Sequence, residues 1–255
     1  MDLYGLLGYP LGHSFSAKYF AEKFANEHIC AEYKNFEYPD AVDAIRFLTK
    51  QTDLVGFNVT IPHKQNVLPF LSGITPEAKA IGAVNVVCVK HEDNGEVKLY
   101  GCNSDVVGFS RSIAPLLDTN IHKRALILGT GGASKAVHYG LQKMGIIPTY
   151  VSRTPQAGRL TYADLTPEVM ETHKVIVNCT PLGMYPKVET CPDIPYHLLT
   201  SKHVLYDLVY NPLQTRFMQC GAEQGATVKN GLEMLHLQAD AAWEMWHNLP
   251  PMEAL

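Results

Sequence analysis

Over the first sixty positions, short apolar runs alternate with stretches whose apolar residues recur every three or four positions. This pattern predicts strands over 4–8, 33–38 and 55–60, with helices over 16–27 and 40–50 between them. Such an alternation points to an α/β layer with a mostly parallel sheet. Two further strand-like runs, 83–90 and 97–102, flank the polar segment His91-Glu92-Asp93-Asn94-Gly95 and predict a hairpin. Residues 105–117 are apolar-periodic and helical, and Asp118-Thr119-Asn120 closes them with turn residues.

A second series then begins. Ala125-Leu126-Ile127-Leu128 is a continuous apolar run, as expected of a parallel strand buried on both faces. It ends on Gly129-Thr130-Gly131-Gly132-Ala133-Ser134, and a helical pattern follows over 135–144. Strands are predicted over 148–152, 175–178, 204–208 and 226–228. A closing helix over 231–246 carries Leu232, Leu235, Ala239, Ala242, Trp243 and Trp246 along one side. The expectation is α/β with two domains. An N-terminal domain of residues 1–104, with a mostly parallel sheet, is completed by the C-terminal helix 231–255, and residues 105–230 form a doubly wound, Rossmann-type domain.

Composition narrows the function classes. The 255 residues are 46% hydrophobic and 18% charged, enough for a substantial core. A formal net charge of -4 leaves no electrostatic footprint for nucleic acid or an anionic membrane. No apolar run approaches the ~20 residues of a membrane span, and the N-terminal residues lack a signal-peptide pattern, so a cytoplasmic location is expected. Six cysteines without a CxxC pair or close His/Cys spacing predict reduced thiols and no metal site.

Candidate chemistry concentrates in Asn58-Val59-Thr60-Ile61-Pro62-His63-Lys64. Behind the strand-like Leu54-Val55-Gly56-Phe57, this run delivers an amide, a hydroxyl and an ammonium to one strand end. Strand alternation lets Asn58 and Thr60 point the same way. Pro62 suits the first turn of a helix, which would place Lys64 one turn in, facing back toward the strand end. The same seven residues, taken alone, suit a strand, a turn and a solvated lysine equally well.

The glycine turn after residue 128 carries the second signal. A tight turn between a buried strand and a helix lets backbone approach a pyrophosphate, and the helix N–H groups favour its charge. Gly129, Thr130, Gly131, Gly132 and Ala133 form this candidate cradle. Gly129 and Gly131 match the first two glycines of the GxGxxG pattern, while Ser134 occupies the third. At the end of the next strand an acidic residue would select the ribose hydroxyl of NAD. Ser152-Arg153-Thr154 stands there instead and suits the 2′-phosphate of NADP. A solvated arginine on a loop is the bland alternative.

With these pieces in place, the chain resembles the shikimate dehydrogenase family from residue 5 to about residue 246. Gly8-Tyr9-Pro10-Leu11-Gly12-His13-Ser14-Phe15-Ser16 looks like the family's G-x-P-x-x-H-S-x-S. Residues Asn58 to Lys64 match N-V-T-x-P-x-K, and Gly82-Ala83-Val84-Asn85 matches G-A-V-N. Gly101-Cys102-Asn103-Ser104-Asp105-Val106-Val107-Gly108 resembles G-x-N-T-D-x-x-G. Asn178-Cys179-Thr180-Pro181-Leu182-Gly183-Met184, Asp207-Leu208-Val209-Tyr210-Asn211-Pro212 and Gly231-Leu232-Glu233-Met234-Leu235, with Gln238, continue the series. Several departures stand out. Ser104 and Val86 replace threonines, Ala17 replaces a proline, and Ser152 replaces the asparagine of N-R-T. Ala157 stands where many NADP-dependent members carry a second basic residue, with Arg159 two positions on.

The resemblance implies a small-molecule enzyme, monomeric or homodimeric, that reduces 3-dehydroshikimate to shikimate reversibly with NADPH on the route to chorismate and aromatic amino acids. It implies Lys64 and Asp105 as catalytic residues, Lys64 giving the proton and Asp105 orienting it. Ser14 and Ser16 would hold the carboxylate, and Asn58, Thr60, Asn85, Tyr210 and Gln238 would meet the rest of the substrate. Thr180, Leu208 and Gly231 would join the glycine turn and Ser152, Arg153 and Thr154 around the cofactor. An ammonium supplies both the proton and the positive charge that a reduced carbonyl oxygen needs. His13 and His63 adjoin these motifs but are left out, His13 as a loop-ordering residue and His63 as one facing away. An NAD-using quinate/shikimate dehydrogenase and a non-catalytic shikimate- or nucleotide-binding regulator are the competing readings.

Overall fold

The computed structural model describes residues 1–12 and 15–254. The chain forms two compact units, Met1–Ser104 with Ala239–Leu255, and Asp105–Gln238.

The first unit runs β1 (Asp2–Gly8), α1 (Phe15–Asn26), β2 (Ala31–Glu37), α2 (Ala41–Leu48), β3 (Leu54–Val59), β4 (Gly73–Ile74), α3 (Pro76–Ile81), β5 (Val86–His91) and β6 (Val97–Cys102). Its sheet has the order β2-β1-β3-β5-β6-β4. Strands β2, β1 and β3 run parallel, whereas β5 is antiparallel to both β3 and β6, closing the expected hairpin. Asp40 caps α2 by accepting from the Val42 and Asp43 amides. The pattern reading passed over β4 and α3, because two residues carry no period and six make fewer than two turns. Cap chemistry still marks α3: Thr75 accepts from the Ala78 amide, Pro76 opens the helix, and Gly82 ends it in the left-handed region at φ 67°.

Where a helix was expected after Pro62, residues 61–67 form irregular turns. The helical ladder fails at Lys64, whose carbonyl accepts from the Val84 amide at 2.8 Å instead of from a residue one turn on. A neighbouring segment thus takes the bond that would have continued the helix.

The second unit runs α4 (Asp105–Ile113), β7 (Arg124–Leu128), α5 (Gly132–Lys143), β8 (Ile147–Ser152), β9 (Leu160–Thr161), α6 (Pro167–Thr172), β10 (Val175–Asn178), β11 (Val204–Asp207), α7 (Arg216–Glu223), β12 (Thr227–Lys229) and the start of α8 (Leu232–His247). Helix α4 stops short of its expected end because Pro115 forces a short 3-10 turn over 114–116. The strand order β12-β11-β10-β7-β8-β9, parallel throughout, reverses direction on either side of β7. This is the doubly wound Rossmann-type arrangement, and its ligand crevice opens beyond the carboxyl ends of β7 and β10.

Helix α8 divides midway. Met234 packs into the second unit's core with Phe109 and Ile113, whereas Ala239, Ala242 and Trp246 pack with Tyr4, Phe20 and Phe24 of the first. The boundary thus falls at 238–239, inside the helix that the sequence reading gave whole to the first domain.

Candidate active site

In the first unit, strand β3 delivers Asn58 to a buried position one residue before its end. The Tyr33 hydroxyl, from β2, donates to Asn58 Oδ1 at 2.8 Å, and Asn58 Nδ2 donates to the Asn85 carbonyl at 3.3 Å. Asn85, also buried, uses both ends of its amide: Oδ1 accepts from the Ser104 amide at 2.7 Å, and Nδ2 donates to Ser104 Oγ at 2.9 Å. Asn103 Nδ2 donates to the Ala83 carbonyl at 2.9 Å. Buried amides require such partners. The two motifs around Asn85 and Ser104 are therefore held together as one piece. A hydroxyl is what Asn85 uses at position 104, so serine in place of threonine keeps the contact.

Ser16 lies at the start of α1, near enough to Tyr33 to favour the ionised phenol. Thr60 and Lys64 are half-buried on the turns that follow β3. The Thr60 methyl rests against Gly8, where a β-carbon would collide with it. His63 turns inward, fully buried, with Nε2 donating to the Tyr38 carbonyl at 2.6 Å. Ser14 and His13 lie outside the described residues. The structure thus gathers Tyr33, Asn58 and Asn85 into one hydrogen-bonded cluster, with Ser16 beside Tyr33. Nothing in the sequence marks Tyr33, because a tyrosine between Glu32 and Lys34 looks like an ordinary strand residue.

Asp105, Tyr210 and Gln238 belong to the second unit. Asp105 is buried in the first turn of α4, where a carboxylate also complements the helix dipole. Gln238 donates from Nε2 to the Leu235 carbonyl at 2.9 Å and lies against Gly108, while Tyr210 is part-exposed beyond β11.

The second unit holds a cavity of about 830 Å³ beyond the ends of β7, β8 and β10. Gly129, Thr130, Gly131, Ser152, Arg153, Thr154 and Thr180 all line it. Gly129 sits at φ 96° with its amide bonded to the Val151 carbonyl, so the turn needs glycine. Gly131 caps α5, and a β-carbon at Gly131 or Gly132 would meet no protein atom. Their bareness leaves room before a helix N-terminus, which suits a pyrophosphate. Ser134 donates to the Gly131 carbonyl at 2.6 Å and is fully buried, which explains a serine in place of the third glycine. Ala133 follows in the first turn of α5.

Arg153 and Arg159 both face this cavity, with the Arg159 guanidinium 5.7 Å from the Tyr150 ring centre. The set of donors fits a dinucleotide bearing an extra phosphate. Leu208 and Gly231 are not among the lining residues. They abut each other: a β-carbon on Gly231 would strike the Leu208 carbonyl, and the Gly231 amide donates to the Val209 carbonyl at 3.2 Å. Gln156, Tyr162, Cys191 and Asp193 also line the cavity, and sequence reasoning missed them. Gln156, Cys191 and Asp193 come from irregular segments and Tyr162 from a single 3-10 turn, too short to carry a period, so the pattern held no signal for them.

Behind the crevice, Asp207 is fully buried at the end of β11. It accepts from Thr215 Oγ1 at 2.6 Å, Asn178 Nδ2 at 2.9 Å and the Val209 amide at 3.0 Å. Burial pushes its carboxyl up to about 6, and the three hydrogen bonds pull the other way. Asn178 Oδ1 in turn accepts from Thr180 Oγ1 at 2.6 Å, which fixes the cavity wall. Among the described residues, no group of three or more His, Cys, Asp or Glu side chains is arranged to hold a metal. No helix among them is long and apolar enough to cross a membrane.

A family profile described as "Shikimate dehydrogenase substrate binding domain" matches residues 6–87. The chain is 34% identical to "Shikimate dehydrogenase (NADP(+))" of Bacillus cereus (strain AH187), over 98% of this chain and 94% of that one. The structure of shikimate 5-dehydrogenase from Thermus thermophilus, in complex with NADP(H) and shikimate, superposes with a TM-score of 0.82 at 30% identity, covering 98% of this chain and 95% of that one. Quinate dehydrogenase from Corynebacterium glutamicum, in complex with NAD, gives 0.84 at 25% identity with coverage of 98% and 95%.

Proposed function

Because the chain belongs to the shikimate dehydrogenase family, we propose that it catalyses the reversible NADPH-dependent reduction of 3-dehydroshikimate to shikimate, a step toward chorismate and the aromatic amino acids. The observation that carries the cofactor half is the position of Arg153 at the end of β8, on the same cavity as the glycine turn. Its guanidinium and the neighbouring Ser152 and Thr154 would hold the 2′-phosphate, with Gly129 to Ala133 around the pyrophosphate. NADPH, when bound, supplies the hydride.

The chain's own groups do the rest. Lys64 gives the carbonyl oxygen its proton and stabilises its developing charge, with Asp105 as the second catalytic residue. Ser14 and Ser16 hold the carboxylate. Asn58, Thr60, Asn85, Tyr210 and Gln238 meet the hydroxyls. Residues 1–104 with the end of α8 carry most of the substrate groups, while the Rossmann-type unit serves the nucleotide and adds Asp105, Tyr210 and Gln238. The same proposal includes a cytoplasmic, monomeric or homodimeric enzyme.

One observation favours a second reading, an NAD-using quinate/shikimate dehydrogenase. Asp193 brings a carboxylate to the cavity, and Ala157 leaves a second basic position empty. Rates of NADPH and NADH oxidation with 3-dehydroshikimate and 3-dehydroquinate, assayed side by side, separate the two. The proposal expects the highest kcat/KM for NADPH with 3-dehydroshikimate, and a clear preference for NADH or for 3-dehydroquinate would sink it.

A further inference from the structure

The Tyr33 ring is stacked on Phe20 at 4.7 Å between centroids and 13° between planes, so its hydroxyl has little freedom. That hydroxyl bonds a residue assigned to substrate, Asn58, at 2.8 Å, with Ser16 nearby. An amide oxygen only accepts, so Tyr33 spends its single proton on Asn58 Oδ1. Burial raises the Tyr33 phenol well above its usual range, partly offset by the nearby Ser16, so the proton stays in place.

The consequence for Asn58 is a fixed polarity. Its oxygen is used by Tyr33 and one Nδ2 hydrogen by the Asn85 carbonyl, which leaves the other Nδ2 hydrogen to offer. The Tyr33 bond fixes which way the amide faces, and the remaining Nδ2 hydrogen is suited to the oxygen of a ligand hydroxyl.

We propose that Tyr33 is a positioning residue for the substrate, orienting the Asn58 amide through its phenolic hydroxyl. This rests on the reading of Asn58 as a substrate holder. Tyr33 touches neither the reacting atoms nor the nucleotide cavity. Its loss should therefore appear in substrate binding.

The test compares Tyr33→Phe, Ser16→Ala, Asn58→Ala and the double variant Tyr33→Phe/Asn58→Ala in steady-state kinetics. Tyr33→Phe keeps the ring on Phe20 and should raise KM for shikimate about ten-fold, with KM for NADP+ unchanged. The double variant should be little worse than Asn58→Ala alone, since both changes break the same bond. Full additivity overturns the proposal. So does an unchanged shikimate KM in Tyr33→Phe while Ser16→Ala and Asn58→Ala raise it. An unchanged KM in all three single variants overturns the substrate-holder reading itself. Should Tyr33→Phe fold poorly, 2,3,5-trifluorotyrosine at position 33 keeps the shape with a more acidic phenol. Shikimate KM should then rise at alkaline pH without a matching rise for NADP+, and a flat profile overturns the proposal.

Discussion

Gly129 and Thr180 approach so closely that a β-carbon on the glycine would stand 2.9 Å from the threonine methyl. These residues follow β7 and β10, the two strands between which the sheet order reverses. With φ at 96°, Gly129 is constrained twice over, by its backbone and by its neighbour. Gly129→Ala should cost about 1–3 kcal/mol of stability and raise KM for NADPH far more than KM for 3-dehydroshikimate. Chemical denaturation and kinetics check both, and equal effects on the two constants would contradict a nucleotide role for this turn.

Asp207 gives the protein a distinctive pH response. Its carboxyl is raised from the ordinary 3.8 to about 6 by burial, so the folded state holds the proton more tightly than the unfolded state. Its contribution to stability is therefore full below about pH 4 and is lost as pH rises through about 6. The shift corresponds to about 3 kcal/mol across that window. In urea denaturation at pH 4.5 and 7, the advantage of wild type over Asp207→Asn should shrink as pH rises. A constant difference would show that this carboxyl titrates normally.

The two arginines of the cavity should contribute unequally. Arg153 directly follows the Ser152 strand end, whereas Arg159 lies against the Tyr150 ring. Arg153→Ala should raise KM for NADPH about 10- to 100-fold, as expected for a lost charge-assisted contact to phosphate, and leave KM for NADH little changed. Arg159→Ala should act in the same direction with a smaller effect. Equal losses with both nucleotides would mean that neither arginine reads the extra phosphate.

In the first unit, Gly56 on β3 faces Trp246 of α8 so closely that a β-carbon would overlap the indole, whose Nε1 donates to the Val87 carbonyl at 3.1 Å. Gly56→Ala should destabilise by about 1–3 kcal/mol. A thermal melt shows it as a drop of several degrees, with KM for NADPH unaffected in the folded fraction. An unchanged melt would mean that α8 packs more loosely than this contact requires.

Lys64→Ala should lower kcat by at least about 10²-fold, the typical share of a general acid, with a smaller change in KM for NADPH. Wild-type turnover in this variant would remove Lys64 from the chemistry.

Much of the architecture was legible because its signals are local. The unbroken run from Ala125 to Leu128 reads as a strand buried on both faces, and the glycines at its end read as a turn into a helix, whatever surrounds them. The motif around Asn58 and Lys64 was equally plain as spelling. Local spelling was enough for most strands and helices, the doubly wound second unit, the glycine turn before α5 and the place of Arg153 just past a strand end. That the segment after Pro62 is not a helix emerged only from the fold, since the bond that diverts Lys64's carbonyl comes from Val84, twenty residues on. So did the bond from Tyr33 to Asn58, the entry of Asp193 into the cavity and the change of allegiance of α8 after Gln238. Periodicity and turn chemistry act between near neighbours in the chain. Hydrogen-bond pairing and burial are settled by residues far apart in sequence, which no local pattern can name.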